Sequence, residues 1–378
     1  MALIVQKFGG SSVADAQRIF HVAEIITKTY QQGNSVRVVL SAQGDTTDDL
    51  IEKAREINPD ASRREMDMLL SCGEQMSIAL MAMAIEKLGF PVVSLCAWQI
   101  GMATDSNHSA AHITKVDCER VKEELDRKRI VLAAGFQGVD RTGDITTLGR
   151  GGSDTTAVAL AVALQADLCQ IYTDVDGVYT SDPRIVPEAR KLSEITYDEM
   201  LELASMGAQV LHNRSVELAK SYGVQLEVLS SFTGNPGTIV KEVVKKVEKT
   251  YITGVAQDKK IARFALVGLE DVPGVAYKLF NLLAKGKINV DMIIQSLGHD
   301  ERKDIIFTVA DKDSMACARL LDENKDVLKY DHMDINTGVS KVSIVGAGML
   351  ENAGVAAKMF EALYQAHINI HMISTSEI

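Results

Sequence analysis

The stretch VQKFGGSSV, Val5 to Val13, decides how the chain is read. An apolar strand, Leu3 to Val5, runs into a lysine, a Gly-Gly pair and two serines. Apolar residues then recur three and four apart, at Val13, Ala16, Ile19, Phe20, Ala23 and Ile26, which is helical spacing. The unit is strand, glycine turn, helix. Glycines lack Cβ and let backbone N–H groups approach an anion, and a helix starting there points its positive end at it. Lys7 adds a compact cation. These features suit a polyphosphate site, and an ordinary βα turn accommodates them equally well. The spacing is neither G-x-x-x-x-G-K-S/T nor G-x-G-x-x-G, so the two common phosphate loops are excluded.

Working outward, Val36 to Leu40 reads as a buried strand that ends in SAQGDTTDDL. Helix capping accounts for one of Ser41, Thr46, Thr47 and Asp48. Four such residues beyond a strand's C-terminal end mark the place where open α/β sheets hold ligands. Residues 62–88 read as helical and methionine-rich, with Met66, Met68, Met76, Met81 and Met83 as core filler. Glu74 falls at the start of an apolar run, where the helix dipole favours an acid. Pro91 to Ala97 is a further strand. His108 and His112, in a polar loop, are not read as a metal pair, because no partner acids are arranged with them. Ile130 to Phe136 is a strand leading to QGVDRTGDITTLGRGGSDTTA. There Arg150 and Asp154 bracket two glycines and a serine ahead of an apolar helix, Ala157 to Leu164. Ser153 or Asp154 can be a plain N-cap, but an arginine beside Gly-Gly suits a carboxylate or phosphate better than a cap. Leu168 to Thr173 is a strand ending in TDVDGVYTSDPR. Its Asp174, Asp182 and Arg184 fit a ribose, phosphate or magnesium shell, or a solvated loop. Residues 193–222 read as one amphipathic helical stretch, Leu226 to Leu229 as the last strand, and Asn235 to Thr238 as a turn. Alternating strands and helices over residues 1–240 give an α/β domain, a mainly parallel sheet with helices on both faces. Residues 241–258 read as a linker that can also supply a strand.

A chain of 378 residues exceeds one ordinary core and implies two or three domains. A net charge of −11 argues against a nucleic-acid partner. The five cysteines are dispersed, with no C-x-x-C pair, which reads as reduced thiols in a cytoplasmic protein without a zinc site. No apolar run is read as approaching a membrane span.

The C-terminal part repeats. Residues 274–293 and 354–373 share ten identities in twenty positions, among them Gly274 with Gly354, Lys278 with Lys358 and Asn289 with Asn369. The first copy, residues 259–338, reads βαββαβ, a ferredoxin-like order. The second copy, residues 339–378, stops after one strand, one helix and the start of another strand. An unpaired sheet edge would result unless the chain continues or segment 252–256 and a partner chain complete the sheet.

KFGGSSV, GRGGSDTTA and TDVDGVYTSDPR, in that order, resemble the aspartate kinases of the amino-acid-kinase superfamily. DVPGVAYKLF and INVDMIIQ resemble the ACT module, a small amino-acid-sensing domain. The resemblance spans essentially the whole chain. It implies an amino-acid-kinase fold followed by two ACT modules, the second incomplete. It implies ATP, brought with Mg2+, as donor to the side-chain carboxylate of L-aspartate, giving 4-phospho-L-aspartate. That is the first step of the lysine, threonine and methionine branch, with feedback by lysine or threonine and homo-oligomers formed through the ACT modules. Lys7, Arg150 and Asp154 are then the catalytic candidates. Lys7, Phe8, Gly9, Gly10, Ser41, Thr173, Asp174, Tyr179, Asp182 and Arg184 fall at the nucleotide. Thr47, Glu74, Arg150, Gly151, Gly152, Ser153 and Asp154 fall at aspartate. Asp271, Gly274, Val275, Asn289, Asp291 and Gln295 fall at the effector. No protein ligand for a metal is readable. The inventory suits the chemistry: a carboxylate with an ordinary pKa of about 3.9 is already ionised and needs no general base, so the task is to bring two anions together. One departure stands out. Many family members carry a basic residue before the P-G-T turn, and SSFTGNPGT has none. A kinase for glutamate or a nucleotide, and a non-catalytic amino-acid sensor, are the other readings. Glu74, Arg150 and Asp154 together favour an amino acid and an intact enzyme.

Overall fold

The most apolar strands of the sequence lie where a sheet covered on both faces needs them. The computed structural model describes residues 2–208, 210–244, 252–297, 302–346 and 354–376. By internal contacts the chain divides into two units, Met1–Lys249 and Thr250–Ile378.

The first unit runs β1 (Leu3–Phe8), α1 (Ala16–Gln31), β2 (Ser35–Leu40), α2 (Thr46–Ile57), α3 (Arg63–Leu70), α4 (Cys72–Lys87), β3 (Val92–Leu95), the single turn α5 (Ala97–Ile100), β4 (Met102–Thr104), β5 (Ile113–Val116) and α6 (Glu119–Asp126). It continues with β6 (Ile130–Ala134), β7 (Gln137–Val139), β8 (Ile145–Thr147), α7 (Gly152–Leu164), β9 (Leu168–Thr173), β10 (Glu194–Thr196), α8 (Tyr197–Ser205), α9 (Asn213–Tyr222), β11 (Leu226–Ser230) and β12 (Thr238–Lys241). Eight strands form one sheet in the order β10-β12-β11-β9-β1-β2-β6-β3. All its pairings are parallel except β11 with β12. One face is closed by α1 and α4, whose Ile19, Val22, Ile26, Ile78, Met81 and Ile85 pack on Phe8, Val38, Leu40 and Leu132. Helix α7 is buried from Gly152 through Ala161, as a helix apolar on all sides must be.

Several expectations change. The small sheet β5-β4-β7-β8 was not legible, because its strands are only three or four residues long and mix apolar with polar residues. Residues 193–222 are not one helical stretch but β10, α8 and α9, with a break at Met206–His212 in which residue 209 is outside the described set. The run Arg63–Lys87, contrary to the sequence reading, is long and apolar enough by length and composition to cross a membrane. Its Ile78, Met81 and Ile85 are buried in the core of this unit. Arg37, on the β2 surface opposite Val36 and Val38, is fully buried, and its three guanidinium nitrogens have no partner among the described residues.

The second unit holds β13 (Gly254–Glu270), α10 (Val275–Lys285), β14 (Val290–Leu297), β15 (Arg302–Ala310), α11 (Ser314–Glu323), the short turn α12 (Lys325–Leu328) and β16 (His332–Val345). The antiparallel order is β14-β15-β13-β16. Phe264, Leu266, Ile305 and Phe307 on the sheet meet Leu279, Leu283, Cys317 and Leu321 on the helices. The expected βαββαβ order is present. Gly254–Asp258 pairs with Lys341–Val345, so the linker segment does supply a strand to the start of the second copy. The second copy keeps its helix, Val355–Gln365, but the further strand expected after it is not formed over residues 366–376. The charged part of the expected linker, residues 245–251, lies outside the described residues.

Candidate active site

Parallel pairing brings the C-terminal ends of five strands to one level. Phe8 stands opposite both Leu40 and Tyr172, Leu40 opposite Ala134, and Thr173 opposite Ser230. The chain leaves β1 toward β2 on one side and returns to β9 on the other. The strand order therefore reverses at β1, which is where open α/β sheets form a ligand crevice. The loops leaving β1, β2, β6 and β9 carry most of the residues singled out from sequence.

Lys7 Nζ lies 2.7 Å from Asp154 Oδ1, a close ion pair outside hydrogen-bond alignment. It joins the end of β1 to the first turn of α7. A Cβ on Gly9 would stand 3.6 Å from that ammonium, and one on Gly10 would fall 2.5 Å from the carbonyl of Ala42. The Gly-Gly turn is thus pressed against the loop after β2, with Gly44 N–H donating to Gly10 O at 3.0 Å. The sequence reading aimed a helix N-terminus at this turn. A 3-10 turn, Gly10–Val13, intervenes instead, and α1 is capped by the Asp15 carboxylate, which accepts from Arg18 N–H. Glu74 is buried in the first turn of α4, where one carboxylate oxygen accepts from Ala42 N–H at 3.2 Å and the other has no partner. Burial pushes its carboxyl up to about 8, against the pull of the backbone donors.

The GRGGSD turn starts α7 at Gly151, which adopts φ +66° with no side-chain cap, so neither Ser153 nor Asp154 is the N-cap. Ser153 seats on Gly135 at the end of β6, where a Cβ would lie 2.5 Å from the serine oxygen. Arg150 is exposed and has no bonded acceptor among the described residues. Three residues not singled out from sequence hold this turn. Buried Asp67 accepts from Ser109 N–H and from the Thr147 N–H and hydroxyl, which ties α3 to the strand entering the turn. Arg214 donates to Leu148 O and Ala111 O. The ring of His212 lies directly on Gly151. An acid inside the apolar EMDMLL run was the one available signal for Asp67.

Beyond β9, Thr173 donates to the Asp174 carboxylate, and Tyr179 donates to Asp176 at 2.7 Å. Asp182 and Arg184 form a bidentate pair at the surface, which holds the Asp182 carboxyl below its ordinary range. The turn before P-G-T lacks its own basic residue, but Lys191 reaches it from another loop. Its ammonium donates to Pro236 O at 2.8 Å and pairs with Asp176 at 3.3 Å. Ser231 N–H donates to Thr173 O and its hydroxyl bonds Ser12, linking this loop to the one after β1.

The pattern of the Amino acid kinase family matches residues 2–230, and that of the ACT domain matches residues 264–324 and 342–378. The aspartokinase of Bacillus sp. strain MGA3 is 49% identical over all of this chain and 92% of its own length. That of Geobacillus stearothermophilus is 50% identical over the same shares. The chain belongs to the aspartokinase family. Its enzymatic class is that of the aspartate kinases. Among solved structures, E. coli aspartokinase III with aspartate and ADP superposes with a TM-score of 0.79 at 26% identity, covering 99% of this chain and 94% of that one. The same enzyme with lysine and aspartate gives 0.77, also at 26% identity, over 99% and 93%.

In the second unit the effector candidates separate into two groups. Asp271 pairs with Lys303 at 3.0 Å, close to Gly274 (φ +94°) and buried Val275 at the start of α10. Asp291 pairs with Lys341 at 2.6 Å. Asn289 lines a cavity of about 350 Å³ with Phe280, Ile288 and Ile293, and Gln295 is exposed on β14. The two histidines do have acid partners, contrary to the sequence reading: His108 meets Asp67 at 3.0 Å and His112 meets Asp105 at 3.1 Å. Among the described residues His108, Asp140 and Asp144 come close enough to share an ion. Their carboxylates are already engaged, Asp140 by Thr142 and Ser106 and Asp144 by Arg64.

Proposed function

We propose that the first unit transfers the γ-phosphoryl group of ATP to the side-chain carboxylate of L-aspartate, forming 4-phospho-L-aspartate. The Lys7–Asp154 pair carries this reading, because it places one cation between the Gly-Gly turn and the GRGGSD turn. A glycine turn beside an ammonium fits a phosphate chain. ATP supplies the phosphoryl group and its Mg2+. A substrate carboxylate oxygen forms the new bond to phosphorus as the bond to ADP breaks. The substrate is already ionised, so the protein's part is neutralisation and alignment. Lys7 and the Gly9 and Gly10 amides take the transferring group. Arg150, free of other acceptors among the described residues, grips the substrate α-carboxylate with its planar fork. Glu74 and Asp154 accept from the substrate ammonium, with Thr47 and Ser153 as hydroxyl contacts. Thr173, Asp174, Tyr179, Asp182 and Arg184 hold the nucleoside side, with Ser41 near the phosphates.

The second unit is read as a feedback sensor for lysine or threonine, acting in a homo-oligomer assembled through the ACT modules. The acid–lysine pairs at Asp271 and Asp291 support it, since an amino-acid ligand can replace either partner. The lysine complex of E. coli aspartokinase III supports it too. Five free cysteines, three of them buried, suit a reducing cytoplasm. The deciding experiment measures ATP consumption with L-aspartate, L-glutamate or no acceptor while trapping product with hydroxylamine. Aspartate-dependent hydroxamate is expected. ATP binding without turnover on any acceptor would leave a sensor rather than an enzyme.

A further inference from the structure

Helices α3 and α4 are divided only by Ser71, whose backbone (φ −60°, ψ −21°) is still helical, so Arg63–Lys87 forms one run of 25 residues. Its inner side is accounted for, with Ile78, Met81 and Ile85 in the core. The outer side is the anomaly. Between Glu65 and Glu86 the exposed positions are Met68, Cys72, Met76, Leu80 and Met83, with no charged residue among them. Met68, Met76, Leu80 and Met83 keep 47%, 47%, 41% and 61% of their surface in solvent. At about 3.6 residues per turn all five fall within about a third of the helix circumference, on the arc that the core residues leave free. A helix apolar on all sides is ordinarily buried on all sides, and a continuous exposed apolar stripe marks an interaction surface. Methionine suits such a surface, because its flexible thioether adapts to whatever side chain faces it.

The ends of the stripe say what covers it. Exposed Glu65 and Lys87 lie on the same arc as the five apolar positions, one at each end. The Lys87 ammonium sits 5.2 Å from the centre of the Phe20 ring and has no acid partner among the described residues. The spacing is symmetric about Met76. Cys72 and Leu80 stand four positions to either side, Met68 and Met83 eight and seven, and Glu65 and Lys87 eleven. A second, antiparallel copy of this helix, related by a two-fold axis at Met76, therefore sets apolar side chains against apolar ones and the acid of each copy against the lysine of the other. That self-complementarity is what a two-fold interface between identical chains requires, and an unrelated partner does not require it. A lipid surface fits poorly. Membrane-surface helices carry Lys and Arg beside their apolar face. Here Arg64 is taken up by Asp144 and Glu65, and the chain carries a net charge of −11.

We propose that the outer face of α3 and α4 is a two-fold interface between copies of this chain, with Met76 on the axis, Cys72 opposite Leu80, Met68 near Met83, and Glu65 of each copy opposite Lys87 of the other. The contact lies in the first unit and is separate from the association assigned above to the ACT modules. It accounts for the apolar stripe without a membrane. The first turn of α4 also holds buried Glu74, so the inner side of this helix serves the candidate site and the outer side serves assembly.

The test uses the full chain carrying Cys72→Ser, which removes the exposed native thiol. Met76→Cys is added and the protein is treated with a short bismaleimide. A covalent dimer is expected to form about tenfold faster or more than from Ile57→Cys, a position 88% exposed on α2 and off the stripe. Glu65→Lys and Lys87→Glu, each combined with Met76→Cys, should slow the crosslink about fivefold or more. The two together should restore it, because the ion pair is rebuilt in reverse. Urea unfolding checks each variant against the parent, and the comparison of Met76→Cys with Ile57→Cys stands whether or not a swapped chain folds. A Met76→Cys protein that crosslinks no faster than Ile57→Cys overturns the proposal. So does a folded double swap that stays as slow as the single ones, since acid and lysine then do not face each other. Flotation of the parent with phosphatidylserine vesicles, abolished by Met76→Glu, would assign the face to a membrane and overturn the proposal as well.

Discussion

Lys7 on β1 and Asp154 on α7 meet at 2.7 Å, with each side chain 12% exposed. They are 147 positions apart in sequence (154 − 7), and their approach joins the two glycine turns into one site. Under the proposed transfer, Lys7→Ala removes a preorganised cation from beside the transferring phosphoryl group. Turnover should fall by two orders of magnitude or more, about 3 kcal/mol of transition-state stabilisation. The hydroxamate assay at saturating ATP reads this directly, and near-normal turnover would place the phosphoryl site elsewhere.

Glu74 carries a pH signature. Burial raises its carboxyl from 4.5 to about 8, so at neutral pH the free protein holds it mostly protonated. An ammonium group arriving beside it favours the ionised form, and binding aspartate should release a proton. The aspartate KM should therefore fall as pH rises toward 8, while Glu74→Gln should bind weakly and lose this dependence. The stability consequence has the opposite slope. A carboxyl with a raised folded-state pKa stabilises the fold fully below 4.5, and that contribution is lost as pH rises through 8. Unfolding of the Glu74→Gln protein should be flatter over this window. Calorimetry in two buffers of different ionisation heat counts the released proton, and a count of zero removes Glu74 from the substrate ammonium.

How far these features could be read from sequence depended on the range of the interactions. The βα alternation and the C-terminal repeat are local patterns, and both are present in the fold. Lys7, Arg150 and Asp154 stood out because their glycine neighbours are local as well. The Asp67, Lys191 and His212 contacts are made across 80, 45 and 61 positions, to Thr147, Pro236 and Gly151, and nothing in their own neighbourhoods announces the partner. The short strands β4, β5, β7 and β8 escaped for a different reason. Three or four residues of mixed polarity carry too little periodicity to show a sheet.

Lys191 addresses the one departure from the family pattern noted in the sequence. The turn at Asn235–Thr238 has no basic residue, but the Lys191 ammonium reaches Pro236 O at 2.8 Å and Asp176 at 3.3 Å. Asp176 also accepts from Tyr179 and Asn235, so one lysine braces both loops of the proposed nucleotide side. Lys191→Met should raise the ATP KM roughly tenfold, on the scale of one hydrogen bond to a charged group. The aspartate KM should stay close to the parental value. Equal losses on both substrates would instead describe a brace for the whole unit.

Arg37 should be a burden on stability. It is fully buried in the apolar interior, its three guanidinium nitrogens have no partner among the described residues, and burial lowers its pKa well below the ordinary guanidinium value, to about 9. Among the described residues Cys118 is the one titratable group that offsets this, and its thiol is itself pushed up by burial. A group with a depressed folded-state pKa binds protons more weakly in the fold than in the unfolded chain. Here the charged form is the one the fold disfavours, so the penalty is complete below pH 9 and relieved as pH rises from 9 toward the ordinary guanidinium value. Arg37→Met keeps much of the side-chain length and removes the charge. It should stabilise the protein at neutral pH by about 1 kcal/mol or more, with a smaller gain above pH 9. Urea unfolding at both pH values decides the matter. A destabilised Arg37→Met protein at neutral pH would mean that the guanidinium is bonded in solution, and its stretch of β2 would then need a polar partner.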